Sequence, residues 1–208
     1  MSRKSILALV FVMLFSFTCF AAEKPGGEIK RMSIFISNFT EVGLYDFDIY
    51  EDGNDNSILH LGNPENVGEL IRFGIEHNVI NNPKTRVKKC KIENCEHGAY
   101  TIDGKFVSES VKKYFDMEFE NQSLLDSSPE CYYDGELYHF NKHEEADAVY
   151  YADVQSVSQK NGIITMKGEI YDTKNKSDRP ARFTATAKPY TWDKKNTWSI
   201  ISLKFEWK

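Results

Sequence analysis

The sequence predicts an α+β fold, with N-terminal helices packed on a curved antiparallel sheet, and three features carry that prediction. Before Asp126, apolar residues recur at three- and four-residue steps, the spacing of one helix face. After Tyr132, strand-forming residues run in long stretches separated by polar turns. Asp134-Gly135 and Asn161-Gly162 stand between such stretches, and these dipeptides accept the positive φ that tight hairpins demand.

The chain opens with a leader. Arg3 and Lys4 precede an apolar run from Ile6 to Phe17, broken only by Ser16, and Thr18-Cys19-Phe20-Ala21-Ala22 follows. A basic start, an apolar centre and small residues at the end are the three parts of a secretory signal peptide. The run falls short of the roughly twenty residues that a helix needs to cross about 30 Å of hydrocarbon, so no stable membrane insertion is expected after processing. Cleavage after Ala21 offers Ala21 and Cys19 to the two positions that the peptidase reads, whereas cleavage after Ala22 would put Phe20 in one of them. The expected division is a signal peptide over 1–21 and a single α+β domain over 22–208. Lipidation of Cys19 is the competing fate, but Ser16-Phe17-Thr18 is a poor context for it.

Composition bounds the partners. The chain has 26 Lys and Arg against 31 Asp and Glu, a formal charge of −5 that becomes −7 when Arg3 and Lys4 leave with the leader. Its basic cluster, Lys84 to Lys91, is followed by Glu93 and Glu96 and reads as a solvated edge strand, so no nucleic-acid partner is expected. Cys90, Cys95 and Cys131 remain after processing, and an odd count leaves at least one unpaired. A Cys90–Cys95 disulfide closing a small loop is the economical pairing in an oxidising compartment, with Cys131 a buried thiol or the partner of one of them. Cys90-x4-Cys95-x-His97 could instead hold a metal, but no second ligand pair stands at finger-like spacing, and neither a metal nor a cofactor is expected.

Along the chain, Ile29, Met32, Phe35, Ile36 and Phe39 fall on a helical stripe, although Met32, Ile34 and Ile36 would also line one face of a strand. Asn63-Pro64 offers a cap and a first-turn proline, and Val67, Leu70, Ile71, Ile75 and Val79 continue on one face. Asn78, Asn81, Asn82 and Pro83 end that helix. Thr85 to Lys91 and Ala99 to Ile102 favour strands, with Asp103-Gly104 as a turn, and Ser108 looks like the cap of a short helix carrying Val111, Tyr114 and Phe115. Tyr132 to Tyr138 reads as a hairpin. Strands at Ala148–Val154, Ile163–Tyr171, Ala181–Ala187 and Thr197–Trp207 then form a meander whose apolar face the helices must cover.

That element order resembles cystatin-like and nuclear-transport-factor-2-like domains. Phe35-Ile36-Ser37-Asn38-Phe39-Thr40-Glu41, Leu70 to Asn78, Lys112-Lys113-Tyr114-Phe115 and Tyr132-Tyr133-Asp134-Gly135 together resemble an uncharacterised group of bacterial secreted proteins and lipoproteins, over most of the mature chain. The resemblance implies an extracytoplasmic address and an α+β domain, and it brings no reaction or ligand.

Two polar clusters are candidate sites. His77, Asn78, Asn81 and Asn82 could form a binding corner in which His77 titrates near neutral pH, or could simply satisfy the carbonyls of a helix end. His139 and His143 stand four apart beside Glu144, Glu145 and Asp147, but between a hairpin and a strand, where the segment reads as a polar loop. No nucleophile motif or phosphate loop is present. Trp192, Trp198 and Trp207 read as core filling or a sheet edge. The expected function is a non-enzymatic binding or inhibitory module of the periplasm or cell exterior, presenting a sheet face or loop to a protein or envelope component. The alternative is a small-molecule-binding or hydrolytic domain with a pocket between sheet and helices.

Overall fold

The computed structural model describes residues 25–50, 58–125, 130–142 and 149–208. The expected leader and cleavage site and the His143 to Asp147 cluster lie outside the described residues. Among the described residues, no helix is long and apolar enough to cross a membrane.

The helices follow their apolar stripes. α1 (Pro25–Thr40) turns Met32, Phe35, Ile36 and Phe39 inward, so the stretch that could have been a strand is a helix. A 3₁₀ turn at Pro64–Asn66 leads into α2 (Val67–Asn81), and the Asn63 side chain caps it by accepting from the Glu65 amide. α3 (Gly104–Phe115) starts earlier than Ser108 suggested. Asp103 is its cap, accepting from the Lys105 amide, so Asp103-Gly104 is a helix start rather than a hairpin turn and Ser108 lies inside the helix. The same short carboxylate suits both roles, because it can catch an amide two residues ahead in either.

The strands, in chain order, are β1 (Phe47–Asp48), β2 (Leu59–His60), β3 (Val87–Lys89), β4 (Tyr100–Asp103), β5 (Cys131–Tyr133), β6 (Leu137–Phe140), β7 (Tyr150–Lys160), β8 (Ile163–Asp172), β9 (Ala181–Trp192) and β10 (Lys195–Trp207). They make a larger sheet in the order β2-β1-β10-β9-β8-β7 and a smaller one in the order β3-β4-β6-β5. β7 to β10 are the expected antiparallel meander. Its two tight turns have positive φ at both central residues, Asn161 and Gly162 in one, Asp193 and Lys194 in the other. The smaller sheet joins the basic strand, its neighbour and the Asp134-Gly135 hairpin, a grouping that the sequence did not announce. β3 lies at its edge with Lys88 and Lys89 exposed, the solvated edge strand expected of that basic run.

One apolar core lies between the helices and the larger sheet. Phe39 sits at its centre, with ring centroids 5.4 Å from Phe35, 5.5 Å from Phe73 and 5.4 Å from Phe115. Met166, Ala185, Ile200 and Leu203 meet these rings from the sheet. The second core lies against the smaller sheet, where Ile71, Ile75 and Val107 meet Val87, Ile102, Tyr138 and Phe140. Helices α2 and α3 contribute to both, and they pass closely at Gly74. A Cβ there would stand 2.5 Å from a Val107 methyl and 2.9 Å from its carbonyl oxygen.

Helix α1 also seals part of a sheet edge. β7 is the last strand of the larger sheet, and an unpaired edge exposes amides and carbonyls that template unwanted pairing. Ser33 accepts from the Val154 amide at 3.0 Å, Ser37 accepts from the Ala152 amide at 3.0 Å, and Thr40 donates to the Tyr150 carbonyl at 2.6 Å. Spaced at four and three residues, these hydroxyls lie on one helix face, beside the apolar stripe.

Candidate binding groove

Where α1 lies along β7, it leaves a groove of about 530 Å³ open to solvent. Its apolar lining is Ile29 and Ile34 from the helix, Tyr151 from β7 and Tyr171 from β8. Ile34 is 57 % exposed and Tyr151 38 %, although both are large apolar side chains beside a well-filled core. They are exposed because the edge-sealing register fixes them: with Ser33 and Ser37 turned to the β7 backbone, Ile34 has no interior to enter. Contiguous apolar surface of this kind marks interaction sites.

Glu41, just past the end of α1, also lines the groove. Asn81 hydrogen-bonds its carboxylate, yet Oε2 is buried with no partner. Burial raises the Glu41 pKa from its ordinary value, and the Asn81 bond partly offsets this. A buried carboxylate oxygen without a donor costs about 1–3 kcal/mol. Asp153 and Lys30 stand at the rim, and Asp153 is already paired with Arg179 at 2.9 Å. A second depression, about 650 Å³, runs between α3 and the β5–β6 hairpin, and four of its charges pair with one another, Lys105 with Asp103 at 2.7 Å and Lys112 with Glu118 at 3.3 Å.

Of the residues that the sequence singled out, Asn81 alone reaches this groove's carboxylate. His77 and Asn78 are buried between α2 and α3. His77 contacts Ser110 Oγ and Tyr114 Oη, both at 3.2 Å, and Tyr114 donates to Asn38 at 3.0 Å. Desolvation, with Lys113 and Arg86 nearby, lowers the His77 pKa to about 3, so the ring is neutral rather than poised near pH 7. Asn78 donates to the Gly74 carbonyl and to Ser110, while Asn81 and Asn82 close the helix end by donating to the His77 carbonyl and to Asn78 Oδ1. Trp198 belongs to the core against Phe35, and Trp207 is half exposed beside Phe205.

The cysteines fall elsewhere. Cys90 and Cys95 are free thiols in the β3–β4 connection, and Cys131 is buried in β5, its thiol raised to about 11 mainly by burial. His97 does not join the first two and stacks on Tyr132, centroids 4.1 Å apart. His139 joins them instead. It lies in β6 rather than in a polar loop, because its strand neighbours Tyr138 and Phe140 are core residues that draw it into the sheet. Its Nε2 is 3.0 Å from Asp134 Oδ2. Desolvation opposes ionisation of Asp134, but the Leu137 amide, the His139 ring and the Glu136 amide outweigh it and hold this carboxyl at about 2.

Compared with protein-family models, with curated proteins and with solved structures, the chain matches none.

Proposed function

We propose that this chain is an exported, non-catalytic binding module that docks a basic, apolar segment of a protein of the cell envelope or exterior in the groove between α1 and β7. The observation that carries this reading is one groove lined both by the exposed apolar side chains Ile34 and Tyr151 and by Glu41, whose Oε2 has no hydrogen-bond partner. A partner that brings an ammonium or guanidinium group to the Glu41 carboxylate would pair with its charge, while its apolar neighbours would cover Ile34 and Tyr151. A hydrogen bond to a charged group adds about 1.5–3 kcal/mol, and each large apolar side chain that becomes covered adds a similar amount.

Charge supports the same partner. The chain carries −5 overall and more once its expected leader is gone, so a basic segment is drawn to it from a distance. The secretory grammar of residues 1–22 supports an encounter outside the cytoplasm. Between the helices and the covered face of the larger sheet the space is taken up by Phe35, Phe39, Phe73, Tyr114 and Phe115, and the groove opens beside that core.

The test is photo-crosslinking in the secreting cell, with a benzophenone amino acid placed at Ile34 and, as a control, at exposed Lys174 on the β8–β9 turn. A discrete protein adduct from position 34 and none from position 174 is the expected result. Adducts from both positions alike, or from neither, would overturn the reading.

A further inference from the structure

We propose that Cys90, Cys95 and His139 bind a thiophilic divalent cation, Zn²⁺ foremost, in a three-ligand site that leaves one coordination position to water. The site lies on the smaller sheet and stands independently of the groove. His139 Nδ1 is 3.5 Å from the Cys90 sulfur and 3.5 Å from the Cys95 sulfur, and the three donor atoms lie within 4.8 Å of one another. A tetrahedral zinc ion, with bonds of about 2.3 Å to sulfur and 2.0–2.1 Å to nitrogen, holds its sulfur and nitrogen ligands about 3.6 Å apart. The two sulfur–nitrogen separations have that length.

The Asp134 carboxylate can only accept, so it fixes a proton on Nε2 and turns Nδ1 toward the two sulfurs. A cation between the three atoms uses all of them, displacing two thiol protons to solvent and neutralising two thiolates.

The surroundings are those of a ligand set held in advance. A carboxylate behind a ligating imidazole fixes its orientation and raises its basicity. Asp134 is itself fixed, its Oδ1 accepting from the Glu136 amide at 2.9 Å and the Leu137 amide at 2.7 Å. The His97 amide donates to the Cys95 sulfur. His139 is buried in β6 between Thr101 of β4 and Tyr132 of β5, so its ring does not wander. The cysteine loop is pressed against this strand at Gly98, whose φ is +136° and where a Cβ would lie 2.3 Å from the Phe140 carbonyl oxygen. Only glycine permits that approach, and the approach brings both thiols over His139. Coordination keeps the sulfurs as thiolates and competes with the disulfide that an oxidising compartment favours.

The experiment uses the full chain, purified and reduced, titrated with Co²⁺ and then Zn²⁺ under argon. One equivalent of Co²⁺ should produce a thiolate charge-transfer band in the near ultraviolet and the strong visible bands of a tetrahedral ion, and one equivalent of Zn²⁺ should bleach both. Cys90→Ser should abolish the charge-transfer band, Cys131→Ser should leave it intact, and Asp134→Asn should weaken binding about 10- to 100-fold with unchanged circular dichroism. Neither band in the reduced wild-type chain would overturn the proposal. So would bands that survive Cys90→Ser or vanish with Cys131→Ser in a folded variant, or full affinity in Asp134→Asn.

Discussion

Burial between α2 and α3 keeps His77 neutral, and this gives stability a pH dependence of known sign. Its folded pKa, about 3, lies below the ordinary 6.5. As pH falls through 6.5, the unfolded chain takes up a proton that the folded chain refuses, so the contribution is complete above 6.5 and declines toward 3, by up to about 1.4 kcal/mol per pH unit. Urea unfolding from pH 6.5 downwards should therefore show a shallower loss in His77→Gln than in wild type, and parallel curves would contradict the assignment. Glu41 has the opposite sign. Its folded pKa is raised, so its charge disfavours the fold above the ordinary carboxylate range. Glu41→Gln should stabilise the free protein at neutral pH by on the order of 1 kcal/mol, measured by the same unfolding, while weakening partner binding. Sequence reasoning allowed that the Asn residues around His77 satisfy the carbonyls of a helix end, as Asn78 and Asn81 do, but not that His77 meets Ser110 and Tyr114, because a helix-end cluster looks the same whether it faces solvent or a neighbouring helix. It overlooked Glu41, whose burial beside Tyr151 becomes visible only once α1 is laid along β7. Its preferred reading of Cys90 and Cys95 was a disulfide, and the metal alternative that it set aside named His97, when the imidazole that meets both sulfurs is His139, brought there by a sheet pairing that no local spacing encodes.

At the scale of elements, α1 has two duties, and its sequence separates them by face. Met32, Phe35, Ile36 and Phe39 fill the core, while Ser33, Ser37 and Thr40 close the inner half of β7. Ser37→Ala leaves the buried Ala152 amide without a partner and should cost about 1–3 kcal/mol in urea unfolding, and a neutral result would remove the edge-sealing role. The α2–α3 crossing should be less tolerant of added bulk than helix propensity suggests. Gly74→Ala gains up to about 1 kcal/mol of propensity but forces a methyl into Val107, and a net loss of about 1–3 kcal/mol is expected by thermal or urea unfolding. The stripe of α2 and its Asn63-Pro64 start were legible, as were the meander and its Asn161-Gly162 turn, because each is written within a short window. The start of α3 was misplaced because Asp103-Gly104 serves a hairpin and a helix cap equally well. The smaller sheet was hidden because β4 pairs with β6 across α3, a long-range choice set by burial of Ile102 and Tyr138 rather than by any turn.

At the scale of the whole molecule, an acidic chain with an exposed apolar groove and an unsatisfied acceptor is suited to hold a basic partner, and the affinity should divide into apolar and ionic parts. The ionic part is screened by salt, most strongly where charges meet solvent, and the Glu41 contact is the part that a neutral side chain removes. The most direct measurement is the affinity of the purified chain for the partner cross-linked from position 34, taken in wild type and Glu41→Gln over a series of salt concentrations. The account predicts roughly 10-fold or greater weakening by Glu41→Gln, together with a smaller salt dependence than wild type. Equal affinity and equal salt dependence in the two proteins would contradict it.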